Sequence, residues 1–75
     1  MTELPVVTPR QVIRALQKAG FFVHHVRGSH HYLKHPNYPA LRVTVAYHGK
    51  DLKRGTLRAI LREAGVSVEQ FAALL

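Results

Sequence analysis

Apolar positions in this chain recur at two different periods, and the switches between them divide it into elements. Val12, Ile13, Leu16 and Ala19 fall on one side at helical spacing while Arg10, Arg14, Gln17 and Lys18 point elsewhere, which predicts an amphipathic helix over about residues 9–19. Its start is spelled out by Thr8-Pro9-Arg10-Gln11. Thr8 caps, Pro9 sits where its missing N–H costs nothing, Gln11 closes a capping box, and Val7 and Val12 form a hydrophobic staple. Gly20 stops the helix. Phe21 to Arg27 and His30 to His35 then favour strand, joined by Gly28-Ser29, a tight-turn pair in which Gly tolerates positive φ. With a two-residue loop, alternation places Phe22, Val26 and Leu33 on the buried face and His25, Arg27, His30, Tyr32 and Lys34 on the other. A single bulge would exchange the faces, and Phe21 is also a good core residue.

Pro36-Asn37-Tyr38-Pro39 is a turn by composition, and it leads into the clearest strand, Leu41 to Tyr47. There Leu41, Val43, Val45 and Tyr47 alternate with Arg42, Thr44 and Ala46, so the sheet has one covered and one open face. After the basic connector His48 to Arg54, a second amphipathic helix is marked by Leu57, Ile60, Leu61 and Ala64 and stopped by Gly65. A short third helix opens on Ser67, with Gln70 closing its box and Val66 set to staple against Phe71. Phe71, Ala72, Leu74 and Leu75 are too apolar for a free tail, so this helix is expected to fold back on the domain or join a partner surface. The order α-β-β-β-α-α gives an α+β domain with helices on one face of a three-stranded antiparallel sheet, the layout of the double-stranded-RNA-binding fold.

Composition narrows the partners. A chain of 75 residues with no cysteine is one small domain held by apolar packing, and 47% hydrophobic residues are enough to supply that core. Residues 1–7 are expected to be a flexible N-terminus. Met1 to Pro9 lack the basic start and apolar core of a signal peptide, and no run is long enough to cross a bilayer, so the expected compartment is the cytoplasm. Eleven Lys and Arg against four acids give +7, an excess that attracts polyanions such as nucleic acid or an acidic protein. Arg54, Arg58 and Arg62 form a row on the second helix that could track phosphates or serve as an ordinary solvated face.

Six histidines raise the question of a metal, but His24-His25 and His30-His31 point to opposite sheet faces pairwise, and no thiol or convenient carboxylate completes a ligand set. No cofactor or metal is expected. Ser-His-Asp and Cys-His catalysis and a phosphate-binding loop are also unsupported. What remains is His30, just past a sharp turn, beside Arg27, Tyr32, Lys34 and Arg42. Imidazole exchanges protons near neutral pH, so this group could deprotonate an RNA 2′-hydroxyl or protonate a leaving oxygen while the cations hold the phosphate. The alternative is a strand histidine with a satisfied ring.

Several pieces recur together in a known order and spacing: Ala19-Gly20-Phe21, Arg27-Gly28-Ser29-His30-His31, Val43-Thr44-Val45 leading to His48-Gly49, and Gly55-Thr56-Leu57-Arg58 through Ile60-Leu61 to Ala64-Gly65. As an ordered set over about residues 8–71, they resemble the HicA toxin family of bacterial type II toxin–antitoxin systems. The resemblance implies the double-stranded-RNA-binding layout, an endoribonuclease that cleaves mRNA without a known metal, and a HicB antitoxin that covers the active site. The family's catalytic histidine follows the Gly-Ser or Gly-Gly turn, which carries over to His30, with His31 as the alternative because some members have Asn first and His second. The implied RNA surface comprises Arg27, Gly28, Ser29, Tyr32, Lys34, Arg42, Lys53, Arg54 and Arg58. One departure is Ala46, where many members carry proline ahead of the histidine that follows the third strand.

Overall fold

The computed structural model describes residues 3–75. Helix α1 runs from Pro9 to Lys18, opened by a reciprocal capping box in which the Thr8 side chain accepts from the Gln11 N–H and the Gln11 side chain accepts from the Thr8 N–H. Val7 and Val12, the expected staple, are both buried. The helix ends in a Schellman arrangement: Gly20 N–H donates to the Gln17 carbonyl and Phe21 N–H to the Leu16 carbonyl, each at 3.0 Å, while Phe21 and Leu16 are buried.

Strands β1 (Phe22–Arg27), β2 (His30–His35) and β3 (Tyr38–Ala46) pair antiparallel in the order β1-β2-β3. Helices α2 (Arg54–Ala64) and α3 (Val68–Leu74) complete the α-β-β-β-α-α order. The helices cover one side of the sheet, where Leu33, Val43 and Val45 meet Leu16, Leu57, Ile60, Leu61 and Phe71 in one apolar cluster. The third helix folds back as expected, burying Phe71 completely and packing on α1, where Lys18 Nζ donates to the Leu74 carbonyl at 3.1 Å.

Three expectations change. The register of β1 slips between Val23 and His25, so Val23 pairs with Leu33 while His25 pairs with Tyr32. This bulge puts Phe22 opposite Lys34 on the open face, 43% exposed rather than buried. Phe21, just ahead of the strand, enters the core in its place. Val26 stays on the covered side opposite His31 yet is 52% exposed, because α1 and α2 lie over β3 and leave the far edge strand less covered. The third strand begins at Tyr38 rather than Leu41, leaving Pro36-Asn37 as the turn. The three residues between Tyr38 and Arg42, Pro39 included, bulge out where the register shifts at Lys34/His35, a place a sheet tolerates proline.

The segment ahead of α1 touches the body of the domain at two points. Leu4 and Val7 are buried and the Val7 carbonyl accepts from Leu52 N–H at 2.9 Å. For Met1 and Thr2 the expected flexible terminus lies outside the described residues.

At the other end of the molecule His35 ties the β2–β3 turn to α1. Its Nδ1 accepts from Asn37 N–H at 3.1 Å, which leaves the proton on Nε2 to donate to the Ala19 carbonyl at 3.3 Å. The ring meets Phe21 edge-on at 5.1 Å between centroids. Gly20 has φ of 104°, and a Cβ there would lie 2.6 Å from His35 Nε2. Gly20→Ala is therefore expected to cost about 2 kcal/mol or more, from backbone strain and the clash together. In a His35→Ala background the same substitution costs measurably less, because only the strain remains; urea denaturation of the four proteins checks this non-additivity.

Candidate nucleic-acid interface

Burial of Leu33, 1% exposed, sets the faces of the central strand. Its odd-numbered neighbours His31 and His35 turn toward the helices, and His30, Tyr32 and Lys34 turn out. His30 pairs with Arg27 on one side and Ala46 on the other, and its side chain is exposed beside the hairpin turn. That turn is made possible by Gly28, at φ of 57°, followed by Ser29 with no positive φ. Glycine at the first central position is what a two-residue hairpin of the II′ kind requires. The Ser29 carbonyl accepts from Tyr47 N–H at 2.6 Å, so the strand exit of β3 braces the turn even though Ala46 stands where proline was expected from the resemblance.

The open face is laid out in rows across the three strands. Arg27, His30 and Ala46 form one; His25, Tyr32 and Thr44 the next; Phe22, Lys34 and Arg42 the third. No Asp or Glu occurs in any strand, so nothing on this face neutralises Arg27, Lys34 and Arg42. The structure therefore brings together Arg27, Gly28, Ser29, His30, Tyr32, Lys34 and Arg42 on one side. It does not bring Lys53, Arg54 and Arg58 there. Lys53 precedes α2, and Arg54 and Arg58 sit on its exposed side while Leu57, Ile60, Leu61 and Ala64 face the sheet, so these cations belong to the helix layer.

His31, the alternative histidine, has different surroundings. Its ring stacks on Tyr47 at 4.7 Å, half-buried on the covered side, and its Nδ1 is buried without a hydrogen-bond partner. It is less open to a polynucleotide than His30. The open-face residues that sequence reasoning missed are Phe22, which the bulge turns outward, and the ring contacts of His24 and His25, whose Nδ1 atoms lie 2.8 Å apart. The doubled Phe21-Phe22 and His24-His25 could have flagged an irregular strand, since each pair straddles both faces. A concavity of about 670 Å³ between Phe21, His35, Tyr38, Leu41, Val66 and Leu74 lies at the opposite end of β2 from His30. Among the described residues, no group of three or more His, Asp or Glu is placed to hold a metal, and no helix is long and apolar enough to cross a membrane.

The fold and the accessible basic sheet define a small α+β protein whose sheet carries uncompensated cations on the side that the helices leave open. Residues 9–66 match the family model described as the HicA toxin of bacterial toxin-antitoxin systems, and the chain belongs to that family. No curated protein matches it significantly.

The two histidines separate by stability as well as by position. His31→Phe keeps the stack on Tyr47 and removes the orphaned nitrogen, so it is expected to be neutral or to stabilise by up to about 1 kcal/mol in chemical denaturation. A clear loss would reveal a partner for Nδ1.

Proposed function

We propose that this toxin is an endoribonuclease of the mRNA-interferase kind, with His30 as general acid or base, and that a HicB-type antitoxin silences it in the cytoplasm by covering the same face. The observation that carries this is the exposed His30 on an acid-free sheet face beside Arg27, Lys34 and Arg42. The imidazole takes the proton of a ribose 2′-hydroxyl, and the freed oxygen attacks the adjacent phosphorus. As the new P–O bond forms, the bond to the 5′ oxygen breaks, leaving a 2′,3′-cyclic phosphate and a 5′-hydroxyl that receives a proton. The cations stabilise the charge that develops on the phosphoryl oxygens. Gly28 and Ser29 hold the histidine at the bend, and the backbone there leaves room for the strand of RNA to pass; a Cβ on Gly28 would meet no atom within 4 Å. Lys53, Arg54 and Arg58 add attraction from the helix layer as RNA leaves the sheet. An antitoxin fits the same face by charge: an acidic surface would pair with these cations and exclude RNA.

His30→Ala is expected to abolish growth arrest and RNA cleavage while changing stability by no more than about 0.5 kcal/mol, since the ring is exposed. His31→Phe retains cleavage. Wild-type protein still cuts in excess EDTA, and its 5′ fragments end in cyclic phosphate. RNA that is shifted but intact would instead identify a binding module without catalysis. Retained cleavage in the His30 variant would move the role to His31 or away from both.

The charges give a separate readout. Arg42→Glu and Arg58→Glu are each expected to lower the slope of log affinity against log salt by about one, measured by fluorescence anisotropy. Loss at Arg42 alone confines the RNA to the sheet face, and an unchanged slope for both places the phosphates elsewhere.

A further inference from the structure

A continuous line of aromatic rings crosses the open face and ends at His30. Phe22 lies 6.3 Å from His24, His24 lies 5.0 Å from His25, His25 stacks on Tyr32 at 4.4 Å with planes 8° apart, and Tyr32 lies 6.5 Å from His30, all between centroids. None of these rings is needed by the core, which lies on the other side of the sheet. Phe22 is 43% exposed, at a position where alternation without the bulge would have buried it. The His25–Tyr32 stack adds a little to the pairing of the strands, but a row of rings left largely open to water also offers flat apolar faces to a ligand.

The geometry of Tyr32 shows where such a ligand fits. Tyr32 is on the central strand and His25 is its partner on β1, so the stacked His25 occupies the β1-side face of the tyrosine ring. On the β3 side the partner of Tyr32 is Thr44 and the next open-face residue toward the hairpin is Ala46, and among the described residues no second ring is stacked on the tyrosine. Both are short. A flat group laid on that free face sits over Thr44 with His30 at one end and Lys34 and Arg42 at the other.

We propose that Tyr32 is a base-stacking subsite: its free face receives an unpaired RNA base next to the phosphodiester presented to His30, and Phe22 offers a second stacking surface further along the strand. Bases stack on exposed aromatic rings of a sheet when they are unpaired and splayed, which a duplex does not allow. The flanking Arg27, Lys34 and Arg42, with no acid in any strand, favour a polyanion over an acidic-and-basic protein surface as the occupant. The toxin thereby selects single-stranded RNA, although its layout is that of a fold that binds duplexes by shape. This rests on the RNA-cleaving reading of His30, and it deepens that reading by naming the substrate form and the residue that positions it.

The test uses 2′-O-methyl oligoribonucleotides, which lack the attacking hydroxyl and so report binding apart from cleavage. Wild-type protein is expected to bind a single-stranded probe, and Tyr32→Leu to bind it about tenfold or more weakly, the loss associated with one stacked base. Tyr32→Phe keeps the ring and the affinity, which separates stacking from a folding defect, and Phe22→Ser weakens binding further when added to Tyr32→Leu. Affinity for the same sequence annealed to its complement is unchanged by Tyr32→Leu. The chain has no tryptophan, so Tyr32→Trp gives a single reporter whose fluorescence is quenched by the single strand and not by the duplex. Equal single-strand affinity of wild type and Tyr32→Leu, or a Trp signal that saturating single strand leaves unmoved, overturns the proposal. So does loss of antitoxin binding in Tyr32→Leu with RNA affinity intact, which would assign the rings to the protein partner. Wild-type protein that shows Tyr32-dependent binding but never cuts natural RNA refutes the His30 chemistry and leaves the stacking subsite standing. Cleavage that survives Tyr32→Leu undiminished, with unchanged affinity, does the reverse.

Discussion

One buried side chain on the central strand orients the functional surface. Leu33 is pressed between the sheet and the helices along with Val43 and Val45, and the two-residue pleat then leaves no choice about its neighbours. A register slip of one residue in β2 would put Leu33 in water, at a cost of about 2 kcal/mol or more in lost burial. The same slip would bring His30 under the helices. Core packing and the exposure of His30 are therefore the same constraint seen from the two sides of the sheet.

The edge strand obeys that constraint less strictly, and the open face profits from it. With α1 and α2 laid over β3, β1 has less apolar cover, so a bulge at its start costs little. The bulge lets Phe21 enter the core and Val23 pair with Leu33, while Phe22 and His25 turn to the side of Lys34 and Tyr32. The result is a face that combines uncompensated cations with exposed rings. Cations alone would attract any polyanion, and rings alone would attract any apolar surface. The proposed RNA substrate would meet both, since a nucleic-acid strand offers phosphates and flat bases at alternate positions.

The two ends of the sheet are held differently. Beyond Leu33, His35 bridges the turn at Asn37 to the end of α1 in a space that only a glycine at position 20 leaves open. That end is tied to the helices by side-chain hydrogen bonds and ring packing. The hairpin end, with Gly28 and Ser29, stands free of the helices and is braced through the backbone of Tyr47. The sheet is thus attached firmly at one end and open at the other, where His30 lies.

Much of this was determined by the sequence alone, because the relevant forces are local. The capping boxes at Thr8/Gln11 and Ser67/Gln70, the helix stops at Gly20 and Gly65, and the turn at Gly28-Ser29 depend on contacts within a few residues, and each is present in the fold. The family too could be read from ordered local motifs, and the family match over residues 9–66 agrees. Tertiary structure decided the rest. Whether Phe21 or Phe22 enters the core depends on which strand position the helices cover, a contact between segments far apart in sequence. The same holds for the packing of Leu4 and Val7 against the body and for the early start of β3 at Tyr38. The arginine row of α2 shows the limit most plainly: the sequence lines up Arg54, Arg58 and Arg62 on a helix, but only the docking of Leu57 and Leu61 places that row in the layer away from His30. Periodicity fixes which residues share a face of their own element, whereas the side of the molecule to which that face belongs is set by packing between elements, which no local pattern encodes.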